Sequence, residues 1–158
     1  MAHRSMRHSF LVTAALAVLA TAGAMVGGAG SAFAAVPTPV TIEATLIFAN
    51  GYGTFTTSSG AGLCPSGTTM DQTRATGWQS GRLNNFHVLK TFTCDDGSGS
   101  FTALVQAHYV FGSPTDSFTW NIVSGTGDYL NLHGAGSGVG DQFPGQVDDH
   151  FVGHVHFE

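Results

Sequence analysis

Histidines and carboxylates are concentrated near the end of the sequence, in the stretch 148–156, which reads DDHFVGHVH. Side chains two residues apart share one face of a β-strand, so His154 and His156 could chelate one ion, with His150 on the same face. Imidazole and carboxylate ligands together suit zinc, copper or nickel. The alternative is that the histidines form the solvent side of a last strand whose intervening apolar residues face the core. Because spacing alone does not show three converging ligands, no metal site is predicted, and the three histidines stay candidates.

Two carboxylates on predicted strands, Glu43 and Asp71, are candidates for acid–base catalysis. A carboxyl group inside a dry cavity can donate a proton near neutral pH when burial raises its pKa. Glu43, however, lies on the polar face of its strand, which favours solvent. Asp71 could instead form an ion pair with Arg74. The catalytic residues therefore remain unknown, with Glu43 and Asp71 as the candidates.

Four aromatic residues, Phe101, Tyr109, Phe118 and Trp120, lie on the apolar faces of two predicted strands and could line a ligand pocket. Large apolar side chains on one face are usually core residues, and in a small barrel the pocket is the unfilled part of that core. No G-x-S-x-G motif is present, and no GK[ST] follows the Gly-Thr-Gly at 125–127. We interpret 125–127 as a tight hairpin turn and predict no cofactor.

The segments that carry these residues alternate between apolar and polar side chains with the period of two that is typical of half-buried strands. Asn50-Gly51 predicts a hairpin turn, and Pro144-Gly145 another. Glycine, at 22 of 158 residues, is about twice as frequent as the usual share of about 7%. No helical period is evident. The predicted strands are 40–48, 52–57, 68–76, 86–94, 101–111, 117–123, 129–135 and 146–157, with a connection over 77–85. Eight such strands favour a closed antiparallel barrel over an open sheet.

The first 34 residues have the pattern of a secretory signal peptide. A basic start with Arg4 and Arg7 precedes an apolar run, and Ala32-Phe33-Ala34 supplies the small residues of a cleavage site after Ala34. We therefore predict a signal peptide over 1–34, an extended lead-in over 35–39 and one barrel domain over 40–158. The domain would be secreted and would not be anchored in a membrane.

Removal of the predicted leader leaves three basic residues, Arg74, Arg82 and Lys90, against ten acidic ones, for a formal charge of −7. A chain with so few cations lacks the basic surface that binds phosphate backbones, which argues against nucleic acid as a partner. Anionic membrane surfaces are disfavoured for the same reason.

The two cysteines, Cys64 and Cys94, both follow the predicted cleavage site. In an oxidising compartment they are expected to form one disulfide. Their spacing does not match the C-x-x-C pattern of zinc or redox sites, and a free thiol would be exposed to oxidation.

One glycine-rich stretch carries a family resemblance. The residues SGTGDY at 124–129, followed by L-x-G-x-G at 132–136, are similar to a corner of the allene oxide cyclase-like and dirigent-like β-barrels. Gly99-Ser100-Phe101 and the strand with Phe118 and Trp120 stand where these families have the preceding strands. The resemblance implies an eight-stranded antiparallel barrel, a trimer in many members, with a lumen that holds an apolar small molecule.

The activities attached to these families are cyclisation of an unstable epoxide and stereochemical control of radical coupling. Their catalytic residues do not carry over, because no carboxylate of this sequence lies in a matching motif. We therefore predict a binder or guide of a small apolar molecule rather than an enzyme. The alternatives are a cyclase or isomerase that uses a lumen carboxylate, and an extracellular interaction protein with a filled barrel.

Overall fold

A computed structural model describes residues 36–58 and 61–158 of the chain, and of residues 73–80 it describes the backbone alone. The predicted signal peptide, 1–34, lies outside the described residues. Within them, no helix is long and apolar enough to cross a lipid bilayer.

The described residues form eight antiparallel strands that close into a barrel, which confirms the predicted all-β fold class. Each strand pairs with the next one in sequence, and the first pairs with the last, so that no sheet edge is left open. The strands are β1 (Thr38–Ile47), β2 (Tyr52–Thr57), β3 (Ser66–Ser80), β4 (Leu83–Cys94), β5 (Gly99–Val110), β6 (Thr115–Gly127), β7 (Leu132–Phe143) and β8 (Gln146–Phe157).

The strands β2 and β8 have the predicted bounds, but β1 starts two residues earlier than predicted. Thr38 and Pro39, assigned to the lead-in, pair with Val155 and His154 of β8. The pairing of β1 with β2 begins only at Ile42, so Pro39 lies where one side of the strand has no partner. A residue without an N–H group is tolerated at such a position.

The predicted connection over 77–85 is wrong, because most of it belongs to strands. Strand β3 continues to Ser80 and β4 begins at Leu83, with Gly81 at φ +60° in the turn between them. The pairing of these strands shifts register twice, between Thr73 and Ala75 and between Thr76 and Gln79. Such irregular pairing weakens the alternation of side chains on which the sequence prediction depended.

The predicted hairpin turn at 125–127 is also wrong: β6 runs through Gly127, and the turn occupies 128–131. Tyr129, predicted as strand, lies in this turn and is buried. Its hydroxyl accepts a hydrogen bond from the Cys64 amide at 2.9 Å and lies 3.0 Å from Ser98 Oγ. A Cβ at Gly125 would lie 1.9 Å from the Tyr129 carbonyl oxygen, so the glycine permits a close approach of two backbone segments.

The alternating glycines of β7 lie beneath large side chains of β6. Phe118 is paired with Gly138 and Trp120 with Gly136, and all four positions face the interior. A Cβ at Gly138 would lie 2.2 Å from the Phe118 ring. These glycines therefore make room for neighbouring rings, a role that goes beyond the strand curvature expected from composition.

One end of the barrel is filled. This disulfide end comprises residues 61–65 of the segment between β2 and β3 and the turns 95–98 and 128–131. Phe92 and Phe101 are fully buried there and stack with ring centroids 4.8 Å apart, and Phe55 packs edge-on against both. The predicted disulfide is confirmed, since Cys64 and Cys94 are bonded and buried beside this cluster.

Candidate ligand site in the barrel lumen

The opposite end of the barrel contains a cavity of about 200 Å³. This cavity end comprises the turns 48–51, 81–82, 111–114 and 144–145. Apolar side chains form most of the cavity wall: Leu46, Phe48, Phe86, Val88, Val105, Ala107, Tyr109, Phe118 and Val147. Its polar part is formed by Asp71, Lys90, Asp116, Gln142 and Asp149.

Lys90 is at the centre of the polar part of the cavity. Its side chain is 2% exposed, and its Nζ lies 2.9 Å from Asp71 Oδ1 and 3.0 Å from Asp149 Oδ2. Lys90 projects inward from β4, opposite Asp71 in the register of β3 and β4, while Asp149 projects from β8. Three strands therefore contribute to one buried ion-pair network.

In this network, burial and ion pairing shift the pKa of each group in opposite directions. Burial alone would lower the pKa of Lys90, but attraction by Asp149 and Asp71 outweighs it, and the pKa is raised. Burial raises the pKa of Asp71 and of Asp149, and the attraction of Lys90 only partly offsets this effect. The site therefore disfavours the charge of both carboxylates, and Lys90 reduces this penalty without removing it.

Asp116, on β6, is a third inward carboxylate and has no cation as a direct partner among the described side chains. Its Oδ2 accepts a hydrogen bond from Gln142 Nε2 at 2.7 Å, whereas its buried Oδ1 makes no hydrogen bond of normal geometry. Burial, followed by repulsion from Asp149, raises the pKa of Asp116 to about 6, although Gln142 and the Gly140 amide act in the opposite direction. The residue can therefore change its charge near neutral pH.

The register brings Asp116 and Asp149 together over a glycine. Gly140 of β7 pairs with Asp116 on one side and with Asp149 on the other. A Cβ at Gly140 would lie 2.8 Å from Asp116 Oδ1 and 2.9 Å from Asp149 Oδ1. Because Gly140 has no side chain, the carboxylates of Asp116 and Asp149 can both approach its Cα atom.

The four aromatic candidates separate into two pairs. Tyr109 and Phe118 line the cavity, as the ligand-pocket hypothesis requires. Phe101 is fully buried in the aromatic cluster of the disulfide end, and Trp120 packs near Phe151 while its Nε1 donates to the Ser137 carbonyl at 3.2 Å. Phe101 and Trp120 are therefore placed as core residues beneath the cavity.

The two carboxylate candidates also occupy different places. Glu43 is on the outer surface, with its side chain 56% exposed and its Oε1 hydrogen-bonded to His150 Nδ1. Asp71 faces the lumen, and its ion-pair partner is Lys90. The expected pairing with Arg74 involves a side chain outside the described residues.

The three C-terminal histidines face outward, as their position on β8 predicts. His150 pairs with Glu43, His154 is exposed, and the His156 ring stacks on His133 with centroids 5.4 Å apart. Among the side chains that the structure describes, no three His, Cys, Asp or Glu residues are arranged to hold a metal ion.

Three charged residues of the polar part, Lys90, Asp116 and Asp149, were not predicted as site residues. Each nevertheless shares the alternation of its strand's buried face: Lys90 follows Val88 and precedes Phe92, Asp116 precedes Phe118, and Asp149 precedes Phe151. A charged residue at an apolar position of a strand is costly to bury unless it is paired. This misplaced charge is the sequence signal that could have identified the site.

Asp116→Asn is expected to raise the free energy of unfolding by about 1–3 kcal/mol at pH 7.5. The pKa of Asp116 is raised on folding from 3.8 to about 6, so the folded protein binds the proton more tightly than the unfolded chain. Stability of the wild type should therefore fall as pH rises from about 4 to 6 and stay lower above that range. Urea denaturation across pH 4–8 measures this difference.

The matched control for this change is Asp128→Asn, at an exposed turn of the disulfide end. Its stability at pH 7.5 should stay within about 0.5 kcal/mol of the wild type. If Asp116→Asn and Asp128→Asn gave the same pH profile as the wild type, the burial of charge at Asp116 would be contradicted.

No protein-family model matches this chain, and no curated protein matches it in sequence.

Proposed function

We propose that this protein binds or guides a small, largely apolar molecule in the cavity end of its barrel. The observation that carries the proposal is the contrast between the two ends. The disulfide end is filled by aromatic rings, whereas the cavity end keeps about 200 Å³ free between apolar walls and a buried polar group. A concave apolar site with a few polar groups is the usual form of a small-molecule pocket.

The size of the cavity limits the ligand. Pockets for drug-sized molecules occupy about 300–1,000 Å³, so a compact ligand is expected here. The closed eight-stranded barrel agrees with the architecture that the resemblance to allene oxide cyclase-like and dirigent-like proteins implies. Membership of that group, a trimeric assembly, secretion and action without a cofactor belong to the proposal. The disulfide is compatible with an extracellular location.

The binding proposal predicts that 1-hexanol and benzyl alcohol, two compact apolar probes, bind to the purified protein. Ligand-observed saturation-transfer NMR should detect both. Ala107→Leu should abolish the signals, because Ala107 is buried on the cavity wall and a larger side chain would occupy the free space. Native mass spectrometry of protein purified from its culture medium would then give the mass of any natural ligand.

The matched control is Gln106→Leu, the adjacent residue of β5, which lies outside the cavity lining. This variant should bind both probes as the wild type does. An absence of saturation transfer in the wild type, or equal signals in Ala107→Leu and wild type, would overturn the proposal.

A second candidate function is that of a cyclase or isomerase with a lumen carboxylate. Asp116 favours it, because a cavity carboxyl group with a pKa of about 6 can donate or accept a proton at neutral pH. A bound natural ligand recovered as a rearranged isomer, with the conversion lost in Asp116→Asn, would support this candidate over simple binding. The filled-barrel interaction protein has less support, since the described side chains leave the cavity end unfilled.

A further inference from the structure

Among the side chains that the structure describes, the charges of the lumen do not balance. The described side chains that face the cavity include one cation, Lys90, and three carboxylates, Asp71, Asp116 and Asp149. Lys90 is already shared by Asp71 and Asp149, at 2.9 and 3.0 Å. These four described side chains, when fully ionised, therefore carry a net charge of −2, and none of the other side chains described at the cavity is a direct counter-ion for Asp116.

Asp116, which lines the cavity, also has unused hydrogen-bonding capacity. The residue is only 8% exposed, and its Oδ1 makes no hydrogen bond of normal geometry. Gln142 and the Gly140 amide act on Asp116 as neutral donors, and a charged donor would also compensate the buried charge of the carboxylate. The convergence of Asp116 and Asp149 above Gly140 places two acceptor oxygens beside the same space.

The rest of the cavity wall is chemically different from the part formed by Asp116 and Asp149. Phe86, Val88 and Phe118 present hydrocarbon surface and no hydrogen-bonding groups. A ligand that satisfies both parts would have an apolar body and one compact cationic donor. An anionic ligand would meet the excess of carboxylates, and a neutral alcohol would leave the charge uncompensated.

From this geometry we propose that the lumen selects small apolar amines, with the protonated amino group against Asp116 and the hydrocarbon part against the apolar wall. The inference rests on the proposed binding function and specifies its ligand class. Asp116 acts as the selecting counter-ion, while the Lys90 network holds the neighbouring Asp149 in place. No covalent step is involved.

The affinity of the lumen for amines should depend on pH, because the charge of Asp116 depends on pH. The groups that face it are Asp149 and Lys90, with Asp71 further along the network and Tyr109 opposite it in the register of β5 and β6. A primary alkylamine, like lysine, stays protonated up to about pH 10. With the pKa of Asp116 at about 6, amine affinity should fall about tenfold between pH 7.5 and pH 5.

Isothermal titration of the wild-type protein with n-hexylamine, 1-hexanol and hexanoate tests the proposal. At pH 7.5 hexylamine should bind about tenfold to a hundredfold more tightly than 1-hexanol, as expected for a charge-assisted hydrogen bond, and hexanoate should bind least. Asp116→Asn should reduce the preference for the amine to less than about threefold while 1-hexanol still binds. Asp128→Asn removes the same charge at a distant exposed turn and should keep the preference.

The results of these titrations distinguish the proposed preference for amines from the proposed binding function. If 1-hexanol binds in a manner sensitive to Ala107→Leu but hexylamine shows no advantage, the amine preference is overturned and the binding function stands. The same conclusion follows if hexanoate binds most tightly, or if Asp116→Asn keeps the amine preference. If none of the three probes binds, both proposals are overturned.

Discussion

Replacement of Lys90 by methionine is expected to lower the free energy of unfolding by about 3–5 kcal/mol at pH 7.5. Methionine is similar in length, so the main loss is the charge that compensates Asp71 and Asp149. Both carboxylates would stay buried without a cation. Chemical denaturation followed by tryptophan fluorescence would measure the change.

The pH dependence of this variant is a second readout of the same network. The pKa values of Asp71 and Asp149 are already raised in the wild type, and loss of Lys90 would raise them further. The folded variant would then bind protons more tightly than its unfolded chain, so its stability should increase as pH falls from 7.5 toward 4. A loss of stability that grew on acidification would contradict this explanation.

Neutralising the whole network should restore much of the stability that Lys90→Met removes. In the triple variant Lys90→Met, Asp71→Asn, Asp149→Asn, no buried charge of the network remains uncompensated. Arg82→Met is the matched control, because Arg82 is exposed in the turn between β3 and β4 and should change stability by no more than about 0.5 kcal/mol. Equal effects of Lys90→Met and Arg82→Met would show that the ion pairs do not stabilise the fold.

Removal of the disulfide by Cys64→Ala with Cys94→Ala is expected to cost about 3–4 kcal/mol. The bond closes a loop of sequence separation 30, and the chain-entropy estimate for such a loop gives this value. Because the bond lies at the disulfide end, the cavity residues should keep their arrangement while the variant is folded. Urea denaturation measures the loss, and 1-hexanol binding below the new unfolding midpoint tests whether the cavity is retained.

A reducing agent provides the control for the disulfide prediction. It should lower the stability of the wild type toward that of the double variant and leave the double variant unchanged. A loss below about 1 kcal/mol in the double variant would mean that the packed aromatic cluster, and not the cross-link, holds the disulfide end together.

Burial of the ionisable groups in the lumen costs free energy of folding, and the barrel does not need these groups in order to be filled. The disulfide end shows that aromatic rings can fill this barrel, with Phe92 and Phe101 fully buried in contact with each other. A lumen filled with similar side chains would be more stable than one that holds four ionisable groups. The position of these charges beside an open cavity is therefore a further reason to propose a ligand site there.

Much of the fold followed from local patterns. The turn signals Asn50-Gly51 and Pro144-Gly145 predicted the starts of β2 and β8 at their observed positions, and the glycines of both turns adopt positive φ. The errors occurred where tertiary contacts overrode local pattern. Residues 128–131 form a turn in which Tyr129 is buried and hydrogen-bonded to Cys64. The register shifts of β3 interrupt the alternation of side chains from which its bounds were predicted.

The sequence by itself determined the all-β class, the number of strands, the cysteine pair and the face on which most side chains lie, because these depend on residue type and on a period of two. Lys90 and Asp149 stand at apolar positions of the predicted strands 86–94 and 146–157, whereas Asp116 precedes the predicted strand 117–123, and none of the three was predicted as a site residue. Only the tertiary structure decided that three carboxylates and one lysine meet, that Gly140 leaves space between Asp116 and Asp149, and that one end of the barrel is filled while the other is not. These features depend on closure of the barrel and on the register between strands distant in sequence, which no local pattern encodes.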